Sequence, residues 1–295
     1  MKRDQKHTKP PDDSADLTTG LSSRSDVPWE KSREEVWSDI SVKLQEKGQS
    51  EQSVRPILPL RQRYALAAGI AFLLAMTGFA RFYSVTNATS SGKHASLHMP
   101  DGTQIELNAQ TRLKYHPYWW RIARTIKLDG EAWFEVEKGK PFKVLSAKAT
   151  TEVLGTTFNV LSRDMEFRVT CHTGKVKVSS KTSNSSIILT SKKQAHMTGS
   201  GILEVISTND ERNSPGWTDN LLMFVSAPLR LVFDEIERQY GIIIVSSVDL
   251  SHLYSGNFAL DESVENVLTL LCRPFDLTYA QTSGKTYQIH QVPME

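Results

Sequence analysis

Between Arg63 and Arg81 the segment Tyr64-Ala-Leu-Ala-Ala-Gly-Ile-Ala-Phe-Leu-Leu-Ala-Met-Thr-Gly-Phe-Ala80 carries no charged residue, and no other stretch of the chain is apolar enough to cross a bilayer. Its seventeen residues would cover about 26 Å as an α-helix, slightly less than the roughly 30 Å hydrocarbon core of a membrane. Continuing through Phe82-Tyr83-Ser84-Val85 closes the gap if Arg81 snorkels toward the headgroups, so the predicted span is 64–85. A cleaved signal peptide would begin much nearer the start than residue 64. The rival is a buried core helix, but the flanking sequence offers no large domain to enclose a helix that is apolar on every face. The chain reads as a single-pass membrane protein, and the span assigns everything else to one of two compartments.

Arg55, Arg61 and Arg63 precede the span, against Arg81 and Lys93 after it, which favours a cytoplasmic amino terminus. A net charge of +2 and the lack of a basic run or basic–aromatic alternation give no support to direct nucleic-acid binding. Cys171 and Cys272 are far apart and lie among apolar residues. They can pair in an oxidising compartment, or serve as small buried hydrophobes.

Residues 1–63 form the cytoplasmic segment. The first 25 are polar, the composition of a chain without a core. From Asp26 the pattern changes: Asp26 caps a predicted helix over about 27–47, with Pro28 in its first turn and Gly48 as its stop. Trp29, Val36, Trp37, Ile40 and Leu44 recur at helical spacing, early glutamates and late lysines complement the dipole, and no partner helix accompanies them. Such a helix either lies on the membrane or docks in a groove of another protein, with Trp29 and Trp37 as anchors.

Beyond the span, Asn87–Gly92 reads as a short tether. Residues 93–207 read as an all-β domain, solenoid- or sandwich-like, with Pro100-Asp101-Gly102 and Asp129-Gly130 as turns. Ala132, Phe134 and Val136 face one way while Glu131, Trp133, Glu135 and Glu137 face the other, and Gly155 marks a bend or bulge. Residues 217–290 follow as a small α+β domain in the order β-α-β-β-α-β-β, two helices on one sheet. Its first helix has Ser226 as cap, a stripe of Leu229, Val232, Phe233, Ile236 and Tyr240, and Gly241 as terminator. Ile242–Val245 reads as a buried strand, and Ser283-Gly284 as the turn of a closing hairpin.

Catalysis finds no support. His94 and His98 lie about 13 Å apart if extended, too far for one ion. Glu131, Glu135 and Glu137 imitate a carboxylate pair but read as a solvated face, and no nucleophile elbow, zinc helix or phosphate loop is present. No cofactor is expected.

Four segments carry a resemblance. Pro100-Asp-Gly-Thr-Gln-Ile-Glu-Leu-Asn-Ala109, Arg124-Thr-Ile-Lys-Leu-Asp-Gly-Glu-Ala-Trp-Phe-Glu-Val136, Pro141-Phe-Lys-Val144 and Val153-Leu-Gly-Thr-Thr-Phe-Asn-Val160 stand in the order found in the FecR family, which this chain resembles over about 93–290. The last domain is similar to the secretin/TonB-receptor short N-terminal fold. Tyr115-His-Pro-Tyr-Trp-Trp120 is an unusually aromatic insertion, either core or a contact patch.

The resemblance implies an anti-sigma regulator of the iron-citrate type in a bacterial inner membrane, with its carboxy-terminal part in the periplasm. The implied partners are an extracytoplasmic-function sigma factor and the signalling domain of a TonB-dependent outer-membrane receptor, with release by proteolysis near the membrane. Trp29, Val36, Trp37, Ile40 and Leu44 would meet the sigma factor, and Leu221, Met223, Val225, Tyr287 and Ile289 the receptor, by β-augmentation at a sheet edge. The alternative is a membrane-anchored periplasmic scaffold that binds glycan or protein without transcriptional output.

Overall fold

The computed structural model describes residues 30–49, 59–163, 166–208 and 214–292, and the chain divides into two compact units, residues 1–67 and 68–295. Helix α1 (Arg33–Gln49) begins after Ser32. The Glu35 amide donates to Ser32 Oγ at 3.3 Å and the Ser32 amide to Glu35 Oε2 at 2.9 Å, a reciprocal cap that places the start later than expected. Asp26, Pro28 and Trp29 lie outside the described residues, and the helix assignment runs through Gly48 to Gln49.

Helix α2 (Leu60–Phe82) is the one described helix long and apolar enough to cross a membrane, and none of its residues is buried. It begins at Leu60 rather than Tyr64 and stops short of Val85. His116 Nδ1 meets the Tyr83 carbonyl at 2.9 Å, and Val85 is already paired with Tyr115 in a strand.

Thirteen strands follow: β1 (Val85–Ala88), β2 (Ala95–His98), β3 (Gln104–Leu107), β4 (Arg112–Tyr115), β5 (Arg124–Glu135), β6 (Phe142–Leu145), β7 (Ala149–Val153), β8 (Thr157–Ser162), β9 (Phe167–Cys171), β10 (Lys175–Ser180), β11 (Ser186–Thr190), β12 (Lys193–Met197) and β13 (Leu203–Ser207). One wall runs β1-β4-β5-β6-β7-β10-β11 and the other β2-β3-β5-β8-β9-β12-β13, so the sheet is nearly closed and β5 belongs to both walls. Only β5–β6 is parallel, which separates this from a solenoid of stacked parallel coils. Ile105, Leu113, Ile126, Phe134, Phe142 and Phe158 are fully buried between the walls, with Phe134 stacked on Phe158 at 4.9 Å.

Three local expectations give way to this pairing. Asn87–Gly92 is not a tether: Asn87 and Ala88 pair with Leu113 and Arg112, and Thr89 Oγ1 donates to the Asn108 carbonyl at 2.6 Å. Gly155 does not bend a continuous strand but lies in the connection between β7 and β8. Asp129-Gly130 is not a turn but the middle of β5, where Asp129 pairs with Arg112 on one wall and Gly130 with Ser162 on the other. A side chain at Gly130, which has φ +118°, would meet Thr111 Oγ1 at 2.5 Å and Thr111 Cα at 2.7 Å, so the changeover needs glycine.

The Pro100-Asp101-Gly102 turn does join β2 to β3, and the buried Arg124 fastens it, donating from Nη1 to Asp101 Oδ2 at 2.8 Å and to the Glu137 carbonyl at 2.8 Å. Burial opposes ionisation of Asp101, but the hydrogen bonds from Arg124 and Thr103 outweigh it and hold the carboxyl below its usual range.

The remaining elements are β14 (Leu221–Pro228), α3 (Leu229–Tyr240), β15 (Ile243–Ser246), β16 (Leu253–Ala259), α4 (Val264–Cys272), β17 (Leu277–Ser283) and β18 (Thr286–Gln291). They build two sheets rather than one, β14-β16 and β15-β18-β17, with the buried faces of α3 and α4 in a common apolar cluster. Gly241 ends α3 at φ +65°. Ser226 does not cap it: the Ser226 amide is turned to Ser255 Oγ at 2.8 Å, and the Leu229 amide donates to the His252 carbonyl at 2.8 Å. Ile242 is buried, but Ile243 and Val245 are exposed, since alternate residues of β15 face opposite sides of the sheet and theirs is the uncovered one. Cys171 and Cys272 are unpaired, each in a different apolar cluster, and burial pushes both thiols up to about 11.

Gly130→Ala is expected to destabilise the β domain by about 3 kcal/mol, measured by denaturant unfolding followed through tryptophan fluorescence. Gly199→Ala, where nothing lies within 4 Å of the added carbon, should stay within about 0.5 kcal/mol.

Candidate functional site

Helix α1 presents Trp37 with 71 % of its surface exposed and Leu44 with 64 %. Ile40 is exposed beside them and Val36 half-buried. Glu34, Trp37, Ser38, Ile40, Ser41 and Leu44 line a shallow trough along the helix. Four of the five predicted sigma-contact residues therefore lie on one described helix, and Trp29 falls outside the described residues.

The predicted receptor contacts separate. Met223 and Val225 are exposed on β14 and Leu221 is half-buried. Tyr287 and Ile289 are not edge residues: β18 is the central strand of its sheet, paired with β15 and β17, and both side chains are buried. β17 is the hairpin neighbour expected across Ser283-Gly284, but the partner on the other side, β15, comes from far earlier in the chain, so the sequence did not show that β18 is central. β14 pairs only with β16, and its ladder breaks between Phe224 and Ala227. A straight free edge is thus confined to Leu221–Phe224, since a bulge spoils further pairing.

The feature that sequence reasoning missed is the junction between the β domain and the last domain. The outer face expected to be solvated is exposed at Glu135 and Glu137 but covered at Glu131 and Trp133. Trp133 is buried, edge-on to His172 at 4.7 Å, and belongs to the cluster built by Trp217, Leu222, Phe233 and Ile236. Glu131 is also buried, accepting from Asn108 Nδ2 and Asn159 Nδ2, each at 2.7 Å. Gln239 Nε2, on the inward face of α3, donates to Asn108 Oδ1 and to Glu235 Oε1, both at 2.7 Å. His94 Nε2 lies 3.1 Å from Gln239 Oε1 and its ring edge-on to Trp217 at 5.4 Å. The Gly92 amide donates to the Arg238 carbonyl at 2.8 Å. The chain leaving α2 is thereby hydrogen-bonded to α3.

Burial raises the Glu131 carboxyl above the ordinary glutamate range, and the negative charge of Glu235 raises it further. Arg168 and Arg163 pull the other way without cancelling the effect. A signal was present: Gln239 falls three residues after Ile236 on the apolar stripe of α3, and Asn108 sits between the buried Leu107 and Ala109. A polar residue in a buried row announces a partner, but neither position says which strand supplies it. Among the described residues no three metal-ligating side chains gather.

The FecR protein family model matches residues 85–177 and the model of the FecR C-terminal region matches 221–289, together more than half of the chain. No curated protein matches. A crystal structure at 1.65 Å of a candidate anti-sigma factor from Parabacteroides distasonis ATCC 8503 is similar with a TM-score of 0.65 and 26 % identity, over 70 % of this chain and 99 % of that one. A second structure of a protein so described, at 2.50 Å, gives a TM-score of 0.65 and 25 % identity over 71 % and 99 %. The first family match starts at β1, in agreement with a β domain that begins at Val85.

A carboxyl whose folded pKa is raised adds stability below its ordinary pKa and loses that contribution as pH rises through the folded value. The full chain should therefore lose part of its stability as pH climbs above the ordinary glutamate value. In Glu131→Gln that part of the slope should vanish. Denaturant midpoints of the two proteins across this window check it, and parallel profiles would remove Glu131 as the cause.

Proposed function

Because the chain belongs to the FecR family, we propose that it is a membrane-anchored anti-sigma factor that relays a signal from an outer-membrane TonB-dependent receptor to an extracytoplasmic-function sigma factor. In this reading α2 crosses the inner membrane with the amino terminus in the cytoplasm, and the two domains after it work in the periplasm. The single observation that carries the inward half is the exposure of Trp37, Ile40 and Leu44 together along one mostly polar helix, which also exposes Val42. An isolated helix of 17 residues is marginal in water, so a partner groove would supply its order.

The outward half rests on β14. Its Leu221–Phe224 edge is paired on one side only, and an incoming strand of the receptor's signalling domain would complete the ladder there, with Met223 as a side-chain contact. Such an event is felt at the membrane through the junction, because α3 follows β14 directly and holds Gly92, ten residues beyond the end of α2. The chemistry is recognition rather than turnover, in keeping with a family of regulators.

In a bacterial two-hybrid assay residues 1–63 should capture one of the cell's sigma factors, and Trp37→Ala with Leu44→Ala should weaken capture at least about tenfold, as expected of an anchor worth about 2 kcal/mol. A bait that recovers no sigma factor would overturn this reading and favour an anchored scaffold. Met223→Asp should weaken co-purification of the receptor's signalling domain, whereas Tyr287→Phe, inside the core, should leave it unchanged.

A further inference from the structure

The connection from β4 to β5, residues 116–123, is unusually aromatic and lies against the last turn of α2. Trp120 turns inward, almost fully buried, edge-on to Tyr115 at 5.6 Å and to Phe142 at 5.8 Å. That ring pins the connection to the β core. Pro117–Trp119 forms a single 3-10 turn, the Ile122 and Ala123 amides both donate to the Trp119 carbonyl at 3.0 Å, and Lys140 Nζ donates to the Arg121 carbonyl at 2.9 Å. A connection braced in this way presents its outward side chains on a fixed platform.

Those side chains are mostly aromatic or aliphatic, with Arg121 among them, and Tyr118 and Trp119 meet the helix end. Tyr118 lies 6.1 Å from the Phe79 ring and 5.2 Å from the Tyr83 ring, and Phe79 and Tyr83 are 5.4 Å apart. Arg81 places its guanidinium 5.5 Å from the Trp119 ring and 5.9 Å from the Phe82 ring. Yet Tyr118 is 62 % exposed and Ile122 61 %, level with Phe79 at 61 %. In water such a contiguous patch is unfavourable.

Phe79 belongs to the uncharged run of α2, so a ring in contact with it lies at the depth where that run leaves the hydrocarbon. Tyrosine, tryptophan and a snorkelling arginine are the side chains that prefer this depth. The segment from His116 to Ala123 holds no acidic residue, and Arg121 adds a second cation beside Arg81, which suits anionic headgroups.

We propose that residues 116–123 form a membrane-interface anchor: Tyr118, Trp119 and Ile122 rest in the headgroup layer around the exit of α2 and hold the β domain against the outer surface of the bilayer. The occupant of this patch is lipid, because it is continuous with a helix whose whole described surface is unburied. The inference rests on reading α2 as a membrane span. Its consequence is mechanical: the β domain cannot swivel freely on a tether, so a displacement of the junction bears on the end of the helix rather than being absorbed by slack.

The test uses the full chain in nanodiscs of phosphatidylethanolamine and phosphatidylglycerol, with an environment-sensitive fluorophore at Ile122→Cys, and Tyr118→Cys as a second position. Leu74→Cys within α2 and Ile188→Cys on β11, at the far end of the wall that begins with β1, are the references. All four sites are exposed, and the unsubstituted protein gives the background from the buried native thiols. Lipids bearing a nitroxide near the glycerol backbone should quench the Ile122 and Tyr118 probes at least about twofold more than the Ile188 probe, and more than lipids bearing it at the chain end. The Leu74 probe should show the reverse depth preference. Quenching at Ile122 and Tyr118 no greater than at Ile188, with Leu74 quenched, overturns the anchor and leaves the span standing. An unquenched Leu74 probe overturns the span and the anchor together.

Discussion

Strand β5 is the constraint on which the second unit depends. Its first half completes one wall of the β domain and its second half the other. Because side chains alternate along a strand, that second half sends Ala132 and Phe134 into one core and Glu131 and Trp133 into the contact with the last domain. A one-residue slip of β5 would exchange these sets, turning Glu131 into the core of the β domain and Phe134 out of it. Gly130 allows the changeover, since the close approach of Thr111 leaves no room for a side chain.

The junction so formed is a mixture of strong and costly terms. Trp133 contributes the apolar part, in a cluster with Trp217 and the inward face of α3. Glu131 is more ambiguous. Two amides satisfy its oxygens, but burial and the nearby Glu235 both oppose its charge. Leaving such a carboxylate ionised is expensive, and the hydrogen bonds repay the cost only in part.

Much of this was legible in the chain. The uncharged run before Arg81 located the apolar helix, and Gly241 and the stripe from Leu229 to Ile236 located α3 and its buried face. The Pro100-Asp101-Gly102 turn also stands where its residue types put it, between β2 and β3. Other readings failed for a common reason. Asp129-Gly130 has the composition of a turn and Asn87–Gly92 that of a tether, yet both are held in ladders by strands distant in sequence. Glu131 read as solvated because its cover, α3, is supplied about a hundred residues later.

What the sequence by itself determined are the features set by neighbours along the chain: hydropathy over a helical length, caps, turns and the period of each buried stripe. These follow from local sterics and from the solvent preference of consecutive side chains. Tertiary structure alone decided which strand faces were covered, which strands were edges, and which polar residues met. Tyr287 is core and Met223 is surface although both sit in similar alternating strands. Whether a face is wet or dry depends on what packs against it, and that is a property of pairing over long separations that no local pattern encodes.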